Sequence, residues 1–148
     1  MNIKVFWDGS ALDNHLKTKN PRRCFGAYTI GDDEFFFESP QASTSNQAEY
    51  DALIAALEHI LKTPNYEKNH YDFKGDSSVA VYQIKGTWRV NSKALKARRE
   101  KVLEMLSKLD YDISTVDRDH NPAGHLIENK LKIRNLLKNP RDSDDWFK

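Results

Sequence analysis

Three acidic residues sit where a folding chain can gather side chains from separate elements: Asp8 in "FWDGS", Glu49 in "TSNQAEYDALIAALE" and Asp76 in "YDFKGDSSVAVYQIKG". Asp8 lies near the carboxyl end of an apolar segment that reads as a strand, and Asp76 marks the junction between a later strand and a short amphipathic helix. Glu49 opens a long helix whose inward side continues through Leu53, Ala56 and Ile60. Each has an ordinary structural use. Asn46 and Glu49 have the spacing of a capping box, Asp76 can cap the short helix, and Asp8 can hold a turn with Gly9 and Ser10. Taken together they suggest something else. A carboxylate at the head of a buried stripe costs free energy unless a cation compensates it, and like charges packed together raise one another's pKa until cations bind. Oxygen donors of this kind select magnesium or manganese over zinc.

The elements that must position these acids follow from periodicity. "NIKVFW" alternates Ile3, Val5 and Trp7 with Asn2, Lys4 and Phe6, and Phe6 makes its second face apolar too, as suits a central strand covered on both sides. "CFGAYTIG" and "EFFFES" flank the turn Gly31 to Asp33 and read as a hairpin, giving an antiparallel meander of three strands. A helix is expected over about Gln47 to Lys62, with Tyr50, Leu53, Ile54, Leu57, Ile60 and Leu61 on one stripe and Pro64 beyond its end. A strand near Tyr71 to Lys74 then leads through Asp76 into the short helix, which Gly86 closes. A second long helix is expected over about Ser92 to Leu109, with Leu95, Val102, Leu106 and Leu109 in register, and "YDISTV" gives a fifth strand. The last helix begins at "NPAGHL", where Asn121 can cap and Pro122 fits the first helical position, and stops before Pro140. The order predicts an α/β fold: a mixed five-stranded sheet, three antiparallel strands then two parallel additions, flanked by helices. If the fourth strand runs parallel beside the first, Asp8 and Asp76 leave the same end of the sheet, where open sheets bind ligands.

With 148 residues and no low-complexity linker, the chain is read as one domain over 1–138 with a tail over 139–148, where Trp146 and Phe147 can dock. The formal net charge of +1 hides two basic clusters, Lys17, Lys19, Arg22 and Arg23, and Lys93, Lys96, Arg98, Arg99 and Lys101. Each is either a solvated face or a surface for a phosphate backbone. Cys24 is the only cysteine, which excludes a disulfide framework and a thiolate zinc site. The polar N-terminus is not a signal peptide and no apolar run has membrane-spanning length, so a cytoplasmic protein without a membrane partner is expected, as a monomer.

In order and spacing, "FWDGS", "TSNQAEYDALIAALE", "KGDSSVAVYQIKGTWRVN" and "VDRDHNPAGHLIEN" resemble type 1 ribonuclease H over about residues 2 to 138. The compact "KGTWRVNSKAL" passage is similar to the archaeal-style members, which lack a basic protrusion. The resemblance implies a ribonuclease H-like fold and an endonuclease that hydrolyses the RNA strand of RNA–DNA hybrids with two magnesium ions, manganese being a possible substitute. The products would carry 5′-phosphate and 3′-hydroxyl ends. It makes Asp8, Glu49 and Asp76 the first three metal-binding acids, and Ser45 and Asn46 minor-groove contacts, with Gly9, Ser10 and Ser77 beside the substrate. The amide of Asn46 both donates and accepts, which suits reading a 2′-hydroxyl. Lys85, Trp88 and Arg89 are expected to grip the DNA strand, Trp88 having a core role as its alternative. His120, beside Arg118 in the loop before the last helix, is a candidate for proton transfer.

The family's fourth acid, on the last helix, is missing. Aligned without a gap, His125 stands in its place; aligned on the alanine, Gly124 does. Glu128 and Asn129 share the helical face of His125, and Glu128 is the favoured substitute ligand, ahead of His125 and Asn129. The loss raises an alternative function, a hybrid- or double-strand-binding module of the same fold with weakened or lost catalysis.

Overall fold

A computed structural model describes residues 1–12 and 23–133. The basic residues Lys17, Lys19 and Arg22, and the whole of the tail with Trp146 and Phe147, lie outside these described residues. In chain order the strands are β1 (Asn2–Ala11), β2 (Cys24–Ile30), β3 (Asp33–Ser39), β4 (His70–Gly75) and β5 (Asp110–Thr115). The helices are α1 (Ser45–Leu61), α2 (Ser78–Ile84), α3 (Lys93–Leu106) and α4, described over Pro122–Ile133. The five strands form one sheet in the order β3-β2-β1-β4-β5. β1 pairs antiparallel with β2 and β2 with β3, whereas β1–β4 and β4–β5 are parallel, as the element order predicts.

β1 is central because both of its faces find apolar cover. Val5 and Trp7 point to one side, where Leu53, Leu57 and Ile60 of α1, Val81 of α2, Val102 and Leu106 of α3, and Phe73 and Ile113 of the neighbouring strands close the larger core. Phe6 points to the other, where Phe25 and Ala27 of β2 meet Ala123, Ile127 and Leu131 of α4. The stripe read along α1 is the buried one, from Tyr50 to Ile60. α3 ends at Leu106, so Leu109 packs against the core from beyond the helix. Arg98 ties α3 to α1 through Asp51, its Nε 2.7 Å from Oδ1, and Ser39 Oγ donates to the other carboxylate oxygen at 2.6 Å.

Two boundaries differ from the sequence reading. α1 begins at Ser45, two residues before the expected Gln47, because Thr44 caps it, its side chain accepting from Gln47 N–H at 3.1 Å. β1 runs on to Ala11, so Asp8 is not near its end. The parallel partner stops earlier, however: the last β1–β4 pair is Trp7 with Gly75, and Asp8 and Asp76 are the next residues on each strand. Asp8 thus stays laddered to Ala27 of β2 while its other flank opens.

Gly9 sets how closely α1 approaches β1. A β-carbon there would lie 2.2 Å from the backbone of Ala48 and of Glu49, a distance no side chain tolerates and backbone atoms cannot relieve locally. Gly9→Ala is therefore expected to cost about 3 kcal/mol or more of stability, with Ser10→Ala close to wild type; urea unfolding midpoints measure both.

Candidate metal and nucleic-acid site

The chain first frees the acids from local duty. Ser77, not Asp76, caps α2, accepting from Ala80 N–H at 3.2 Å. Thr44 rather than Asn46 caps α1, and Gln47 Oε1 accepts from Ser43 N–H at 2.8 Å, so Glu49 is not half of a capping box. The helix-end amides are satisfied by hydroxyl groups, and the carboxylates are left without a structural occupation.

Asp8, Glu49 and Asp76 converge, each offering a carboxylate oxygen with all three oxygens within 4.8 Å of one another. Asp8 is 7% exposed and Glu49 5%, while Asp76 is half-buried. Asn121, fully buried, fixes Asp76: its Nδ2 donates to Asp76 Oδ2 at 2.9 Å and to the Trp7 carbonyl at 3.0 Å, while its Oδ1 accepts from Ala123 N–H at 3.1 Å. One amide thereby starts α4, ties it to the end of the β1–β4 pairing and aims an acid. Sequence reasoning assigned Asn121 only the first of these roles, since nothing local shows which distant group an amide will reach.

Burial is the first cause of a raised pKa at both inner acids. At Glu49 the hydrogen bond to Asp8 and the charges of Asp8 and Asp76 add to burial and hold the carboxyl well above its ordinary value. Asp8 is raised less simply, because the hydrogen bond from Glu49, the Gly9 N–H and the Arg118 charge all oppose burial and the Asp76 repulsion. Both inner carboxyls are thus held above their ordinary value. Even so, Asp8 Oδ1 and Glu49 Oε2 are buried with no hydrogen-bond partner among the described residues. Orphaned carboxylate oxygens on two members of one acidic cluster fit a hard divalent cation, which would compensate the charge and satisfy both.

The acids floor a cavity of about 530 Å³ that Gly9, Ser10, Ser45, Asn46, Ser77, Arg118, Asp119, Gly124, His125 and Glu128 also line. Ser45 and Asn46, on the exposed first turn of α1, stand at its rim with their polar groups free to meet a ligand. At Gly124 the last helix comes close to the acids: a β-carbon there would lie 3.1 Å from Asp8 Oδ2 and 3.7 Å from Asp76 Oδ2. His125 and Glu128 line the cavity from exposed positions, and Asn129 does not line it. His120 is also absent from the lining; its exposed ring lies 3.8 Å from Asp117 in a single 3-10 turn over Arg118–His120.

Lys85, Trp88 and Arg89 form a separate region between α2 and α3. All three are exposed, and Trp88, at 46% exposure, is not a core residue; its ring leans on Tyr82 at 5.1 Å. A second cavity of about 480 Å³ brings Trp88 and Arg89 together with Lys96 and Arg99 and shares no residue with the first. Gln83, buried, ties this loop to the core: it accepts from Tyr50 Oη at 2.9 Å and donates to the Arg89 carbonyl at 3.2 Å. Not all of the basic cluster is available, since Arg98 is paired with Asp51 and Arg99 Nε donates to the Gln83 carbonyl at 2.6 Å. Arg23 is likewise paired, with Glu38 at 2.7 Å.

A carboxyl whose pKa rises on folding stabilises the native state at low pH, and stability is lost as pH climbs from the ordinary carboxyl value through the folded one. Asp8→Asn removes that penalty. In metal-free buffer the variant is expected to melt about 3 °C higher than wild type at pH 7 to 8, equivalent to about 1 kcal/mol, with the gain shrinking as pH falls toward 4. Melting curves across this range, with and without magnesium, measure it; the ion should stabilise wild type and leave the variant unmoved.

Residues 33–129 match the model of the reverse transcriptase-like family. Ribonuclease HI of Halobacterium salinarum is 35% identical over 89 residues, which make up 60% of this chain and 43% of that protein, so the chain spans less than half the length of this curated relative. The crystal structure of RNase H1 from the same halophilic archaeon superposes with a TM-score of 0.72 at 27% identity, covering 90% of this chain and 99% of that one. LC11-RNase H1, solved in complex with an RNA/DNA hybrid, shares the fold at a TM-score of 0.70 and 24% identity, over 87% of this chain and 99% of its own. Among the described residues no helix is long and apolar enough to cross a membrane. The matched family model covers more than half of the sequence, the strand order is that of these structures, and the chain belongs to the type 1 ribonuclease H family.

Proposed function

We propose that this chain is a metal-dependent endonuclease that hydrolyses the RNA strand of RNA–DNA hybrids, leaving 5′-phosphate and 3′-hydroxyl ends. The observation that carries the reading is the convergence of Asp8, Glu49 and Asp76 with two buried carboxylate oxygens lacking partners. Family membership supports it, as does the hybrid held by LC11-RNase H1. Two divalent ions, magnesium or in its place manganese, when bound would supply Lewis-acid stabilisation to the attacking and departing oxygens of a phosphodiester.

The chain's own residues do the rest. Asp8 and Glu49 hold their oxygens in place before any ion arrives, because β1 and α1 fix them through the Gly9 contact. Asn121 keeps Asp76 turned inward. Asn46 and Ser45 face the same cavity from the first turn of α1, where an amide and a hydroxyl can exchange hydrogen bonds with a ribose 2′-hydroxyl and so favour RNA over DNA at the cut strand. Lys85, Trp88 and Arg89 present charge and an aromatic face for the other strand, at a region distinct from the acids. His125 at the rim is the better placed of the two histidines for proton transfer; exposed His120 reaches the cavity only if its loop moves.

The binding-module alternative draws on the last helix, where His125 or Gly124 stands in place of the family's fourth acid. Against it stands the cost of keeping three acids together in a site with no chemistry to perform. Incubation with hybrid, duplex RNA, duplex DNA and four-way DNA, in magnesium and in manganese, separates the readings: cleavage of the hybrid's RNA strand alone is expected. Asp76→Asn is expected to lower that rate about a thousandfold or more, equivalent to about 4 kcal/mol of transition-state stabilisation, with hybrid affinity kept. Asn46→Ala should raise KM for the hybrid with a smaller effect on kcat. Retained hybrid binding without cleavage in either ion establishes the binding module instead.

A further inference from the structure

We propose that Glu128 supplies the fourth carboxylate of the acidic cavity, reaching back along α4 over Gly124 toward the acids; the proposal rests on reading Asp8, Glu49 and Asp76 as cation ligands. The helix face opposite the acids has no side chain where one is nearest to them. Gly124 is buried, and its missing β-carbon would stand 3.1 Å from Asp8 Oδ2. Glycine is a poor helix former, so its presence here gains nothing for α4 and instead lets the helix backbone come close to the acids.

Glu128 is the residue that stacks over Gly124 on the same helical face. Positions four apart share a helical face, and side chains of an α-helix lean toward its N-terminus, so residue 128 covers the turn that begins at residue 124. It lines the same cavity as the three acids, is exposed, and makes no hydrogen bond or ion pair with any described residue. Its carboxylate stands outside the group of oxygens lying within 4.8 Å of one another, so joining them takes a rotation of a side chain that no described residue holds. Glutamate has the length for that reach where aspartate would fall short. The two orphaned oxygens, Asp8 Oδ1 and Glu49 Oε2, mark where the charge is unsatisfied, and a fourth carboxylate brings the cluster closer to the charge of two divalent ions.

The other groups around the cavity serve less well. His125 is turned about a third of a revolution from Gly124 and offers a nitrogen, a weaker donor to magnesium than oxygen. Asn129 does not line the cavity, and Asp119 approaches from the 3-10 turn rather than from the face left open. A ligand recruited by rotation makes the ion, rather than the apoprotein, the agent that completes the site.

Titration calorimetry of manganese and magnesium into the full chain, without nucleic acid, tests this. Glu128→Gln is expected to weaken ion binding about tenfold or more, and Glu128→Asp, which keeps the charge but loses the reach, to weaken it nearly as much. His125→Ala should bind as wild type, and circular dichroism should be unchanged throughout. Full affinity in Glu128→Asp would reduce residue 128 to a distant charge and overturn the assignment, as would loss of affinity in His125→Ala instead. Asp76→Asn distinguishes the two levels: if it abolishes binding while Glu128→Gln binds as wild type, only the present proposal fails. If Asp76→Asn also binds as wild type, the cation reading itself fails.

Discussion

Three clustered carboxyl groups, two of them buried, repel, and the fold is arranged so that they nevertheless stay together. Each inner acid pays for desolvation as well as repulsion, and the hydrogen bond between Asp8 and Glu49 and the Gly9 N–H only partly offset it. What holds them is the scaffold behind. Val5, Trp7 and Phe6 anchor β1 from both faces, the stripe from Tyr50 to Ile60 anchors α1, and Gly9 lets one lie against the other. Local elements carry the strain because their apolar burial greatly exceeds it.

The caps show how the chain separates structural from chemical work. A helix end needs an acceptor for its free amides, and an acid is as good a cap as a hydroxyl. Here Thr44 and Ser77 take those positions, one residue before α1 and one residue after Asp76, and Asn121 does so for α4. Had Asp76 capped α2, its oxygens would be spent on backbone amides and unable to face Asp8. The competing structural readings of Asp76 and Glu49 are removed by their neighbours, which is stronger support for a chemical role than acidity alone.

The strand and helix order, the mixed sheet and the buried stripes were legible because periodicity reports burial directly, as Leu53, Leu57 and Ile60 show. The three acids were legible because they fall at element junctions. Other features depend on tertiary partners that spacing does not encode. Asp8 lies mid-strand because β2 outruns β4 alongside β1, and Asn46 lost the cap to Thr44. Trp88 has the size of a core residue, yet the buried Gln83 holds its loop at the surface and leaves the ring exposed. His120 and Gly124 could be placed only once the path from β5 into α4 was known, since one shift in alignment exchanges a histidine for an open position.

Charge separation then links the two cavities. A net charge of +1 describes neither of them: one is floored by Asp8, Glu49 and Asp76, the other lined by Arg89, Lys96 and Arg99. On the proposed function, a phosphodiester is attracted to the basic loop and repelled by the acids, so the metal-free protein would hold a nucleic acid at one place and reject it at the other. Cations at the acids reverse the sign where the backbone must approach. On the proposed function, ion binding and seating of the cut strand are therefore thermodynamically linked, each raising the affinity for the other. On the same reading, a site without one fixed acid can still bind its ions, because the phosphate oxygens of the substrate can complete what α4 does not hold rigidly in place.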